Sequence, residues 1–497
     1  LQFSSVVYLL FLATAAIVYF LLPGSRSRTA WLLAASYAFY YSMSAGWTAV
    51  LALVTLAGFA FGLLIERAGP ATPGEPIPTR TRRWLVAGIV AVVATLCFFK
   101  YAGATSWMLR QALSLVDASG RFSVLRLALP VGISFWTFQT IAYLTDIAKG
   151  TLPAEKNLAR YALFIAFFPH VAAGPIARGR QLLPQLAEKH AFSYEGMRSG
   201  LLLMLWGFFK KLVVADPLGV SANTMFKDPH AYAHEPLVLL AGALAFAVQL
   251  YCDFSGYTDI ARGSARLFGV ELLPNFDRPY FSRSIKEFWR RWHMSLMGWL
   301  KDYIYIPLGG SRVPAWRRRL NVLAVFAISG IWHGAGVTFL IWGLLNGLYQ
   351  LAGEMLAPAR DSLRRTLRLD PRGATVAILQ TATTFALVTI AWVFFRANSV
   401  ADAFYILGHL LPLGVTAHTR GLLALGLSTA QLKAAAAGAI VVFSVEWLQG
   451  RTDLREWLFR LPTPARWFAY QTAILAVAIF GYYGPVYSAA AFAYFKF

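Results

Sequence analysis

The sequence predicts an all-α polytopic membrane protein. Of its 497 residues 58% are hydrophobic and only 14% charged, where an ordinary soluble chain carries roughly 25% charged residues. The mean hydropathy is positive. Long apolar runs alternate with short basic loops, and no polar block is long enough to hold a soluble domain. The net charge of +22 raises nucleic acid as a partner. The arginines cluster between hydrophobic runs, however, where positive residues mark cytoplasmic loops. Nucleic acid is therefore rejected as a partner, and membrane lipid is the solvent. Cys97 and Cys252 both lie in apolar runs and make neither a disulfide framework nor a zinc spacing. No internal repeat stands out.

The elements follow in order. Residues 5–22 read as a retained helix with its N-terminus outside, because Arg26 and Arg28 follow it. Residues 30–43 and 50–65 form a pair, then comes a basic, proline-rich loop with Arg67, Arg80, Arg82 and Arg83. Residues 84–99 and 129–147 make the next pair, followed by Lys149 and Lys156. Residues 161–178 are apolar but broken by Pro169 and Pro175. Such a break is tolerated at membrane depth only inside protein or beside a water-filled cavity, so this segment reads as re-entrant. Residues 200–218 carry Lys210 and Lys211 in an apolar pattern, and 236–254 is a long span with Asp253 and Asp259 near its end. Intramembrane carboxylates usually pair with a cation; nearby arginines such as Arg262 are the expected partners.

Residues 284–303 read as one amphipathic helix. Ile285, Phe288, Trp289, Trp292, Leu296 and Leu300 recur at helical spacing, with Lys286, Arg290, Arg291 and Lys301 on the remainder. Tryptophan on one side and Lys/Arg on the other place it in the membrane interface. Between residues 262 and 319 there are twelve Lys and Arg against four Asp and Glu, which puts this block on the cytoplasmic side. Pro307 and the Gly309–Gly310 pair end the helix. Residues 321–334 and 337–355 go out and back to a second basic loop. Spans at 375–395, 432–448 and 466–483 follow, and 398–430 is ambiguous. Eleven to thirteen membrane segments result, some re-entrant.

Two histidines stand out. His333, in IWHG, is in an apolar run thirteen residues beyond Leu320, so a helix carries it about 20 Å inward at ~1.5 Å per residue. Two readings are equally open on this evidence: a structural histidine bonded to a neighbouring carbonyl, or a functional intramembrane base. For His293, in RRWHMS, the structural reading is the stronger, because an interfacial helix holds such a ring at little cost. The remaining histidines read as structural. A buried neutral imidazole could take the proton of a hydroxyl attacking a thioester. A phosphate-bearing donor would dock on the basic block, with Arg290, Arg291 and Lys301 as candidates and Arg312, Arg317, Arg318 and Arg319 in the following loop. Trp332, beside His333, and the intramembrane Asp253 complete the candidate substrate-binding set. No metal ligand set is seen, and no phosphate loop, HExxH or CxxC competes.

Several segments together resemble the membrane-bound O-acyltransferase (MBOAT) family, and within it the branch that O-acetylates exported polysaccharides such as alginate. They are PVGISFWTFQTIAYLTDIAKG, FFPHVAAGPIAR, WGFFKKLVVAD, YCDFSGYTDIARG, NFDRPYFSRSIKEFWRRWHMSLMGWLKDYIYIPLGG and the IWHG segment, in that order. The match runs from FSS near the start to the FAYFKF tail.

The resemblance implies that His333 is the catalytic histidine and His293 a second, upstream one. It implies a single membrane domain over 1–497, with N-terminal helices at 1–150, a catalytic core at 151–357 and C-terminal helices at 358–497, ringed around a central tunnel. It implies acetyl-CoA as a cytoplasmic acyl donor with no bound cofactor, separate periplasmic acetyltransferase partner proteins, and a bacterial inner-membrane location. Relatives with a histidine at the position of Asn346 make that residue a departure. D-alanyl transfer to teichoic acid from a carrier protein is the alternative within the family. A transporter or flippase without covalent chemistry is the alternative outside it.

Overall fold

The computed structural model describes every residue except 1, 2, 4, 115–123, 125–126, 411–420 and 484–497. Among the described residues every regular element is a helix, and the one β contact is an isolated antiparallel bridge between Phe276 and Trp292. The FAYFKF tail and residues 411–420 of the ambiguous 398–430 stretch lie outside the described residues.

Among the described residues twenty α-helices follow one another: α1 Val6–Leu21, α2 Ser25–Ser44, α3 Thr48–Arg67, α4 Thr79–Ser114, α5 Ile133–Ala148, α6 Leu158–Ala166, α7 Gly179–Ala187, α8 Tyr194–Phe208, α9 Asp216–Lys227 and α10 Pro236–Arg266. Then come α11 Ile285–Arg291, α12 Met294–Leu300, α13 Ala315–His333, α14 Val337–Met355, α15 Ala357–Thr366, α16 Ala374–Arg396, α17 Val400–His409, α18 Thr429–Gln449, α19 Leu454–Arg460 and α20 Thr463–Phe480. Among the described residues five helical stretches can cross a membrane by length and composition: Ser25–Arg67, Thr79–Gly103, Pro236–Arg266, Ala374–Arg396 and Thr429–Gln449. Their outward faces are apolar, as at Leu53, Val90 and Ile440, which suits lipid. The protein is a multi-pass membrane protein.

The chain divides into two compact units, 1–201 with 261–273, and 202–260 with 274–497. In the first, α3 packs against α4, α5 and α6. Gly58 and Gly62 make that possible: a Cβ at Gly58 would lie 2.2 Å from the Tyr161 hydroxyl, and one at Gly62 would lie 2.8 Å from the Tyr143 ring. Small residues let helices approach closely where lipid supplies no hydrophobic drive. α6 stops before Pro169, and the chain from 167 to 178 is irregular yet buried. Two of its polar groups are met by neighbouring helices, in keeping with the re-entrant reading. The Phe168 N–H donates to Ser36 Oγ (3.1 Å), and the Gln139 amide donates to His170 Nδ1 (3.1 Å).

The second unit holds an aromatic core of Tyr251, Tyr280, Phe288, Trp289, Trp292, Trp342, Trp392 and Phe395. Between α8 and α9 the helix widens into a π-helical stretch, Phe209–Ala215. It is pinned to α10 by buried ion pairs. Lys210 Nζ meets Asp259 at 2.5 Å, and Lys211 Nζ meets Asp253 at 2.6 Å and Asp216 at 2.8 Å. The carboxylates of α10 are thus held by lysines of the π-helical stretch, where the sequence reading expected arginines such as Arg262. Gly207 and Gly256 face each other there; a Cβ on Gly207 would sit 2.5 Å from the Gly256 carbonyl.

Candidate active site

The expected single helix over 284–303 is in fact two short helices. α11 is capped by Ser284, whose Oγ accepts from the Glu287 N–H at 3.2 Å. The chain then breaks at His293 and restarts as α12. His293 has φ 46° and ψ 53°, the left-handed region that costs any residue but glycine. The break is held from outside the helix pair. The Asn275 carbonyl accepts from Met294 N–H (3.0 Å) and its side-chain oxygen from Ser295 N–H (3.2 Å). On the other side Asp277 N–H donates to the Arg291 carbonyl at 3.0 Å. Asn275 is itself fully buried, with its amide 3.5 Å from Thr258 Oγ1 on α10. This clamp fixes where the imidazole points.

His293 is 1% exposed. Its ring stands edge-on to Phe254 (centroids 4.7 Å, 85°) and 6.2 Å from the Trp332 ring. Burial among these rings, with loss of water around the charged form, pushes its pKa down to about 3. The imidazole is neutral at physiological pH.

His333 is the last residue of α13 and is 7% exposed. Three rings enclose it: Trp332 at 4.7 Å, Trp342 at 4.9 Å and Phe395 at 5.2 Å. The enclosure depends on how closely α13 and α14 pack. A Cβ on Gly330 would fall 2.4 Å from the Phe339 carbonyl, and one on Gly343 would fall 2.3 Å from the Phe326 carbonyl. The two helices touch backbone to backbone, which brings Trp342 onto the histidine. Trp332 lies between the two imidazoles and contacts both.

Of the other sequence-predicted residues, Asp253 is 2% exposed and engaged by Lys211. Arg291 pairs with Glu287 at 2.7 Å, and Arg290 is exposed. Lys301 lines a cavity of 1210 Å³ that runs along α11, α13, α14, α15 and α16. Its walls include Arg283, Lys286, Lys301, Arg318, Arg319, Arg360 and Arg364 against one carboxylate, Glu354, which pairs with Arg318. The rest is largely apolar, with Met297, Val325, Phe326, Leu363 and Leu387. Arg290 and Arg291 are not among the lining residues. Sequence reasoning missed Arg283 and Lys286 as lining residues and took Arg360 and Arg364 for loop charges only.

Asn346 was also missed as a contact. It accepts from the Trp289 indole N–H (3.2 Å) and donates to the Trp342 carbonyl (2.8 Å). Most other histidines are occupied elsewhere: His170 by Gln139, His190 by the Gln185 carbonyl (2.8 Å), and His409 by the Tyr405 carbonyl (2.8 Å). His230 lies 3.3 Å from Asp402, and His418 lies outside the described residues.

Comparison with known proteins gives the arrangement a context. The model of the membrane-bound O-acyltransferase family matches residues 91–397, a span that includes both histidines, the Asn275 clamp and the cavity. A protein named "Probable alginate O-acetylase" from Azotobacter vinelandii is 36% identical over 413 residues, 83% of this chain and 78% of its own length. The peptidoglycan O-acetyltransferase of Helicobacter pylori is 34% identical over 403 residues, 76% of this chain and 72% of its own. The teichoic acid D-alanyltransferase of Bacillus subtilis is 29% identical over 236 residues, 44% and 57% of the two chains.

Proposed function

The chain belongs to the membrane-bound O-acyltransferase family, and on that premise we propose that it passes an acetyl group from cytoplasmic acetyl-CoA to an exported polysaccharide such as alginate, across the inner membrane of a bacterium. The observation that carries this reading is the cavity. Seven cations face one carboxylate around an apolar interior, a combination that suits a donor with phosphates at one end and a thioester at the other. Met297 on its wall is one turn from His293, and Phe326 is two turns from His333. The donor's phosphates rest on Lys286, Lys301, Arg318 and Arg319, and its acyl end points toward the histidines.

His333 acts as the base. It takes the proton of the acceptor hydroxyl while the oxygen bonds to the thioester carbonyl carbon. The C–S bond then breaks, and the imidazolium returns the proton to the leaving thiolate. The aromatic enclosure keeps water from competing for the acyl group. His293 and Trp332 orient the donor beside it. Periplasmic acetyltransferase proteins complete the transfer to polymer.

The acceptor rests on the polysaccharide-acetylating relatives, which match over more of the chain than the D-alanyl relative. The test uses membrane vesicles from the native bacterium with and without the chain. Acetyl-CoA consumption and acetylated polymer should both require it, with alginate and peptidoglycan offered in parallel. Consumption of a D-alanyl carrier thioester instead would move the protein to the other branch.

A further inference from the structure

Three carboxylates and two buried lysines in the second unit take no part in the chemistry above. Asp253, Asp259 and Asp216 meet Lys211 and Lys210 at 2.5 to 2.8 Å. Their location on α10 is the informative feature. Asp253 immediately precedes Phe254, the ring that stands edge-on to His293. Five residues beyond Asp253, Thr258 faces Asn275, which holds the backbone on the far side of the His293 break. Phe254 also packs on Phe276 (5.1 Å), and Phe276 bridges to Trp292, the residue before the histidine. One stretch of α10 therefore touches the ring and both flanks of a strained residue.

That stretch is fixed by the lysines. The π-helical widening at Phe209–Ala215 brings Lys210 and Lys211 inward, each 3% exposed. π-helical stretches are rare and are frequent at functional sites. With glycines at 207 and 256 in mutual contact, α10 is set against this segment at van der Waals distance. A left-handed histidine persists only where its surroundings over-determine it, and α10 supplies that constraint.

We propose that Asp253, held by Lys211, is a positioning residue for His293, acting through Phe254 and the Asn275 clamp. The proposal rests on the reading that His293 works in acyl transfer. It replaces direct contact between Asp253 and substrate with an indirect role.

The test is a double-mutant cycle on the full chain in vesicles, with kcat and donor KM measured per folded molecule. Asp253→Asn should lower kcat by about ten- to a hundredfold, the scale of a small misplacement near the chemistry, while donor KM changes less than about threefold. Asp253→Asn combined with His293→Ala should be no slower than His293→Ala alone, within about threefold, because both act through one group. Asp253→Glu should recover part of the loss. Losses that multiply in the double variant, or an Asp253→Asn protein at parental kcat, overturn the proposal. Breaking a buried ion pair can prevent folding, so Phe254→Leu, which leaves all charges paired, enters the same cycle with the same expected non-additivity. If His293→Ala itself keeps the parental rate, the assignment of His293 fails first and this one falls with it.

Discussion

The indole N–H of Trp289 donates to the side-chain oxygen of Asn346 at 3.2 Å. The bond ties α11, which leads into His293, to α14, whose Trp342 stands over His333. Asn346 is 1% exposed and donates in turn to the Trp342 carbonyl. Replacing it with leucine leaves a buried indole N–H without an acceptor, at a cost of about 1–3 kcal/mol. Asn346→Leu should melt earlier in detergent and lose activity. Asn346→His, which keeps a ring nitrogen able to accept, should lie closer to the parent. Equal melting temperatures for Asn346→Leu and parent would remove this link from the account.

The buried neutral state of His293 sets a pH dependence. Its folded pKa, about 3, lies below the ordinary value near 6.5. Between these values the unfolded chain binds a proton that the folded chain does not, so stability rises with pH there and is lost as pH falls. The slope attributable to this group is up to about 1.4 kcal/mol per pH unit. Melting temperatures between pH 7 and pH 4 should fall, and His293→Gln should flatten the curve. A parental slope in that variant would mean that other groups carry the effect.

The cavity predicts a division among the basic residues. Lys286→Gln with Lys301→Gln should raise donor KM several-fold and leave kcat nearly unchanged, because phosphates remote from the carbonyl bind alike in ground and transition states. Neutralising Arg290 and Arg291, which do not line the cavity, should have the smaller effect. The reverse order would place the donor elsewhere on α11.

Sidedness can be read with thiols. Cys97 is exposed and Cys252 buried, so a variant with both replaced gives a clean background. A cysteine at Ser311 should resist an impermeant reagent added to intact cells and react once the membrane is opened. Labelling of intact cells would put the basic block outside and defeat a cytoplasmic donor.

Much of this was legible in the sequence, and the rest failed for physical reasons. The 337–355 span has the bounds of α14 because Gly334 and Gly336 interrupt the helix before it. The buried break at 167–178 was legible from its two prolines. The break at His293 was not. Periodicity carries through from Ile285 to Leu300, and contacts from Asn275 and Asp277, well upstream in the chain, divide the helix. Asp253 and Asp259 were visible as anomalies, but their lysine partners lie 42 and 49 residues away, a separation on which local patterns are silent. The aromatic shell of His333 draws Phe395 from α16, equally beyond reach of spacing. The two histidines themselves were found as polar residues in otherwise well-explained surroundings.

If His333 is the base of acyl transfer, its loss must slow the chemical step without unfolding the protein. The most direct measurement is the single-turnover rate of His333→Ala in vesicles, beside its melting temperature and its membrane abundance. The account predicts a normally folded protein whose transfer rate falls by at least about 10²-fold, the usual cost of removing a general base. A folded variant that retains more than about a tenth of the parental rate would contradict it.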